Sequence, residues 1–143
     1  MKESDLQIAV ADYLRLQYPE VIFHSDFGSG IKLTKGQAIK QKRQNGGRRA
    51  WPDLFVAEPI ITSYRDENGM IKLTQTKNYS GLFIELKKDG TRLKKKNGEW
   101  ASDHIAEQAE MLERLEFRGY RAMFAVGFDE AKKIIDLYFK GKL

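Results

Sequence analysis

The chain has 143 residues, 41% of them hydrophobic and 11% aromatic, which is enough apolar material for a single domain with its own core. It contains no cysteine and only two histidines, which excludes disulfides, thiolate zinc sites and cysteine nucleophiles and argues against a histidine-rich metal centre, so carboxylates must carry any metal. The formal net charge of +5 favours a polyanionic partner, although basic soluble proteins without one are common.

No stretch approaches the roughly 18 apolar residues of a membrane span. The start "MKESDLQIAV" lacks the basic opening and apolar run of a signal peptide. The expectation is a cytoplasmic protein (in the host cytoplasm if viral) with no membrane partner, folded as one domain over 1–143.

"SDLQIAVADYLRLQY" predicts an amphipathic helix: Ser4 and Gln7 have capping-box spacing, Leu6, Val10, Tyr13 and Leu14 share a stripe, and Pro19 ends it. "VIFHS" predicts a short strand, followed by the turn "DFGSG". The basic segment "KGQAIKQKRQ" reads as an exposed helix closed by "NGG". "DLFVAEP" and "GLFIELK" suit buried strands, and between them "IITSYRDENGMIKLTQT" reads as a hairpin turning at "DENG". The lysine-rich loop "DGTRLKKKNGEWASD" is the segment expected to be mobile. Beyond Ser102, Ile105, Ala109, Leu112 and Leu115 fall at helical spacing, with Gly119 placed to end the helix. "AMFAV" predicts a strand, and "DEAKKIIDLYF" a last helix capped by Asp129.

Strand side chains alternate, so Glu85 and Lys87 project to one face with Phe83, while Leu82, Ile84 and Leu86 fill the other. Taken alone, Glu-x-Lys is an ion pair on an edge strand or a solvated face, and such pairs are worth under about 1 kcal/mol. Asp53, opening the other buried strand after Pro52, is equally a turn former when read alone. Together they offer two carboxylates and an ammonium that neighbouring strands would bring close. Carboxylates so placed repel unless a cation lies between them, and Mg²⁺ accepts such oxygens while keeping several waters. Gln108 lies on the apolar stripe of its helix, so its amide needs partners in the interior, whether backbone or site.

Pro52-Asp53 with Glu85-Leu86-Lys87 resembles the P-D…E-x-K signature of the PD-(D/E)XK nuclease superfamily, and "HIAEQAEML" is similar to the glutamine-bearing helix of its VRR-NUC branch. The resemblance covers nearly the whole chain. It implies an α+β fold with the superfamily's αβββαβ core, a mixed sheet flanked by helices, and Mg²⁺-dependent hydrolysis of DNA phosphodiester bonds, with Mn²⁺ as a substitute. It also implies that Asp53, Glu85, Lys87 and Gln108 are catalytic. The metal ligands would be Asp53, Glu85, the Leu86 carbonyl and an acid on the first helix, for which Glu3 is the candidate. A glutamate at a helix start is also favoured simply by the helix dipole.

Two basic blocks flank the strands that carry these acids. Lys40, Lys42, Arg43, Arg48 and Arg49 lie before Asp53, and Lys88, Arg92, Lys94, Lys95 and Lys96 follow Lys87. Charge runs are often only solvated surface; as phosphate contacts, these would be largely blind to base sequence. Standalone VRR-NUC proteins resemble Holliday-junction resolvases, so the resemblance further implies a homodimer acting on branched DNA in repair, recombination or replication. Trp51, Trp100 and "IIDLYF" are candidates for its apolar interface or equally for core. The competing readings are a non-catalytic nucleic-acid-binding module and a structural subunit of a DNA-processing assembly.

Overall fold

Leu6, Val10 and Leu14 recur one helical turn apart along α1 (Glu3–Gln17), and all three are buried. A computed structural model of the chain describes residues 1–26, 33–47, 50–73 and 78–143. After α1 come β1 (Phe23–Ser25), α2 (Lys35–Gln44), β2 (Leu54–Val56), β3 (Ser63–Arg65), β4 (Ile71–Leu73), β5 (Leu82–Lys87), α3 (Asp103–Phe117), β6 (Arg121–Val126) and α4 (Phe128–Phe139). β1, β2, β5 and β6 form one sheet in that order, antiparallel at its first two junctions and parallel between β5 and β6. The parallel pair requires a crossover, and α3 supplies it. The outcome is the expected α+β, αβββαβ core, to which α2 and the β3–β4 hairpin are additions.

The sheet is covered on both faces, which is why every residue of β5 is buried. On one face, Leu54, Val56, Leu82, Ile84 and Leu86 meet α1 and the Ala131, Ile134, Ile135 and Tyr138 side of α4. On the other, Phe83 and Ala122 meet Met111, Leu112 and Leu115 of α3, with Phe55, Tyr120 and Phe124 alongside. "IIDLYF" is therefore core and not an external patch. Gly81 is required where β5 begins: a Cβ there would sit 2.8 Å from the Phe55 ring and 2.9 Å from the Val56 carbonyl oxygen.

Two helix starts differ from the expected ones. α1 is capped by the backbone of Lys2 with Ser4 already inside the first turn, and Gln7 instead donates to the Asp26 carbonyl at 3.0 Å. α4 starts from Gly127, whose φ of 85° turns the chain sharply out of β6, and Asp129 lies within the first turn. The hairpin forms as expected but stays apart from the main sheet as a separate two-stranded one, linked at its base through the Ile60–Tyr79 bridge. The lysine-rich loop, expected to be mobile, is hydrogen-bonded: Lys95 N–H donates to the Glu99 carbonyl at 2.7 Å, Ala101 N–H to the Leu93 carbonyl at 2.8 Å, and the Lys94 ammonium sits over the Trp100 ring. Among the described residues no helix is long and apolar enough to cross a membrane.

α1 and α4 are tied by Asp136, which accepts hydrogen bonds from the hydroxyls of Tyr13 and Tyr18 and pairs with Lys132 at 3.0 Å. Burial pushes its carboxyl up, but the two hydroxyls and the ammonium outweigh that and hold it below its ordinary value. Asp136→Asn should therefore cost roughly 1–2 kcal/mol at neutral pH in urea denaturation. A depressed folded pKa means this contribution is present above the unfolded value and lost as pH falls through the folded one. The gap between wild type and variant should thus close below about pH 4. A gap that is constant with pH would mean the carboxylate charge is idle.

Candidate active site

The β2–β5 register pairs Leu54 with Ile84, Phe55 with Phe83 and Val56 with Leu82. One residue before β2 the same register brings Asp53 opposite Glu85, whose side chain it meets directly, and Pro52 next in line toward Leu86. Phe55 and Phe83 stack with centroids 4.4 Å apart on the face shared by Asp53, Glu85 and Lys87. The opposed strands thus bring the sequence-distant carboxylates face to face.

Backbone polarity along β5 alternates as well. The carbonyls of Gly81 and Lys87 accept from Arg121 and Gly127 on the β6 side, whereas the Leu86 N–H turns the other way and donates to Asp53 Oδ2 at 2.9 Å. The Leu86 carbonyl turns with its N–H toward β2, where Pro52 has no N–H to give. A proline at this point removes the ladder bond that would otherwise occupy that oxygen.

Glu85 is 4% exposed, Lys87 7% and Gln108 5%, so the central strand presents buried ionisable groups, not a solvated face. Gln108 reaches across from α3 and donates from Nε2 to Glu85 Oε1 at 2.8 Å. Glu85 Oε2 and Gln108 Oε1, both acceptors, remain buried without a donor. Burial pushes the Asp53 carboxyl up, against the hydrogen bonds from Glu85 and Leu86 that lower it. Burial, then the charge of Asp53, push Glu85 up as well, and Glu3 adds to both. The pair resists double ionisation and leaves acceptors open, an arrangement that a cation would relieve.

These groups lie in a cleft of about 700 Å³ that α2 walls on one side. Glu3 lines it from α1, and His104 stands one turn before Gln108 on α3. Among the described residues no three acidic, cysteine or imidazole side chains form a group that could hold a metal ion, so Glu3, which lines the cleft and pushes both carboxyls up through its charge, does not join Asp53 and Glu85 in such a group.

No protein-family model and no curated protein matches the sequence. Among solved structures, a VRR_NUC domain protein aligns over 98% of this chain and 89% of its own, at 25% identity and a TM-score of 0.60. The chain has a VRR-NUC fold.

Within the VRR-NUC fold the basic residues separate by position. Lys42 lines the cleft from α2, as does Lys35, which nothing in the sequence pattern singles out. Lys40 and Arg43 are exposed on α2 without lining the cleft, and Arg48 and Arg49 lie outside the described residues. Lys88, Arg92, Lys94, Lys95 and Lys96 are exposed beyond the end of β5, with Lys94 held over Trp100. Trp100 packs against Phe124, and Trp51 lines the cleft. His104 and Trp51 also line the cleft without the sequence pattern having placed them there; for His104 the signal was its spacing from Gln108 along α3.

Proposed function

We propose that the chain is a Mg²⁺-dependent DNA endonuclease whose centre is Asp53, Glu85, Lys87 and Gln108. The observation that carries this reading is the opposed pair of half-buried Asp53 and buried Glu85, which line the cleft with a Glu85 carboxylate oxygen unpartnered and Lys87 on the same face. These residues fit a hard divalent ion, which binds through one or two carboxylates and retains water. Asp53, Glu85 and the Leu86 carbonyl would hold it, with Mn²⁺ as a substitute and Glu3 acting at longer range.

When bound, the ion supplies charge that polarises the scissile phosphate and acidifies water. The chain's own groups do the rest. The Leu86 N–H fixes Asp53, and Gln108 fixes Glu85. The Lys87 ammonium contacts the phosphate and orients the attacking water. A water oxygen joins phosphorus as the ester P–O bond breaks; the proton that the water loses passes to solvent, and solvent supplies one to the departing oxygen.

The finer reading is a homodimer acting on branched DNA such as four-way junctions, whose paired strands suit two symmetry-related sites. It is supported by the β3–β4 hairpin, where Tyr64, Met70, Ile71 and Leu73 leave apolar side chains exposed. Cleavage of linear, flapped and four-way DNAs with Mg²⁺, Mn²⁺ or chelator tests both levels. Metal-dependent cutting that favours the junction is expected. Binding without cutting under every condition would replace the nuclease by a non-catalytic binding module.

Neutralising Lys94, Lys95 and Lys96 together should weaken DNA binding and flatten its salt dependence, by about 0.9 in slope for each phosphate that is no longer neutralised. An unchanged slope of log affinity against log salt would remove this loop from the interface.

A further inference from the structure

We infer that Trp51 is a stacking platform for one unpaired base next to the scissile phosphate, so that the cleft takes DNA with an unstacked nucleotide and not continuous duplex. This rests on the nuclease reading and names the substrate feature that the site selects. Trp51 is 48% exposed, yet it makes a T-shaped contact with Phe83, with centroids 5.2 Å apart and ring planes at 81°. Phe83 is in turn stacked on Phe55 within the buried face of the sheet. A large aromatic ring is thus backed by the sheet's aromatic face while it lines the cleft beside Asp53, Glu85 and Lys87.

The backbone there carries strain. Ala50 has a φ of 63°, the one non-glycine residue with positive φ among the described residues, and it immediately precedes Trp51. An L-residue held in this region costs on the order of 1 kcal/mol or more and persists only where the surroundings impose it. Trp51 is delivered to the cleft by that turn. Opposite the carboxylates, Ala38 and Ile39 of α2 add apolar lining, and Lys35 and Lys42 add positive charge. Apolar faces flanked by ammonium groups suit a base with its phosphates. In a duplex each base face is covered by its neighbours, so only a single strand, flap or branch point can offer a face to Trp51.

The test reads binding in chelator, so it does not depend on cleavage. In a Trp100→Phe background Trp51 is the sole tryptophan. Its fluorescence should be quenched by oligothymidylate and not by a closed hairpin duplex of equal length. In the full chain, Trp51→Ala should weaken oligothymidylate binding roughly ten- to a hundred-fold and duplex binding by less than about two-fold, with Trp51→Phe restoring most of the affinity. Equal weakening on both DNAs, or no quenching, would overturn the platform. Quenching by single strands in a protein that never cuts with Mg²⁺ would leave the platform standing and remove the nuclease; cutting without quenching would do the reverse.

Discussion

Glu85→Gln is expected to lower Mg²⁺-dependent cleavage roughly a thousand-fold or more while the chain stays folded and still binds DNA. The substitution removes one of only two opposed carboxylates and almost no volume, and loss of several kcal/mol of transition-state stabilisation corresponds to a decade for each 1.4 kcal/mol or so. Gln108 can still hydrogen-bond the new amide, so the helix–strand contact survives. Stability should move the other way. Burial and Asp53 hold the Glu85 carboxyl above its ordinary value, so its ionised form opposes folding at neutral pH. The amide removes that opposition, and the thermal midpoint should hold or rise. Near wild-type turnover would reduce Glu85 to a buried structural acid; a collapse of the fold would contradict the sign argued here.

Lys87→Met should reduce the cleavage rate roughly a hundred- to a thousand-fold, the range for a group that manages a proton or orients the nucleophile, and change DNA affinity only several-fold. Methionine retains much of the buried stem, which matters because Lys87 is 7% exposed. One lysine at the base of a cleft contributes a small share of total phosphate contact, but it is the share beside the reacting phosphorus. Single-turnover cleavage and equilibrium binding separate the two quantities. Equal decreases in rate and affinity would make Lys87 one more phosphate contact.

The order of the elements was legible because the period of each apolar pattern is steep: Leu6, Val10 and Leu14 admit only a helix, and the alternation of Leu82, Ile84 and Leu86 against Phe83, Glu85 and Lys87 only a strand. The carboxylate pairing was legible in kind, since an acid opening one strand and an acid closing another meet once those strands run antiparallel. Helix starts were less so. Ser4 and Asp129 have capping chemistry, but the backbone of Lys2 and the left-handed Gly127 start the helices earlier. A preference worth about 1 kcal/mol yields to the geometry of the incoming chain.

The exposure of α2 was legible, yet its role as a cleft wall left no trace, because a helix with no buried residue has no apolar stripe to orient it. Trp51 illustrates the limit differently. An aromatic residue beside a buried strand reads as core or as interface, and only the turn at Ala50 and the contact with Phe83 decide that it faces the cleft.

The claim that the Asp53–Glu85 pair holds a divalent cation is tested most directly by titrating the metal-free protein with Mn²⁺ and following the electron paramagnetic resonance signal of the free ion. Wild type should deplete that signal and release Mn²⁺ to excess Mg²⁺, whereas the double variant Asp53→Asn, Glu85→Gln should leave it at the level of a protein-free control. Equal depletion by wild type and the double variant would place the metal elsewhere and contradict the site.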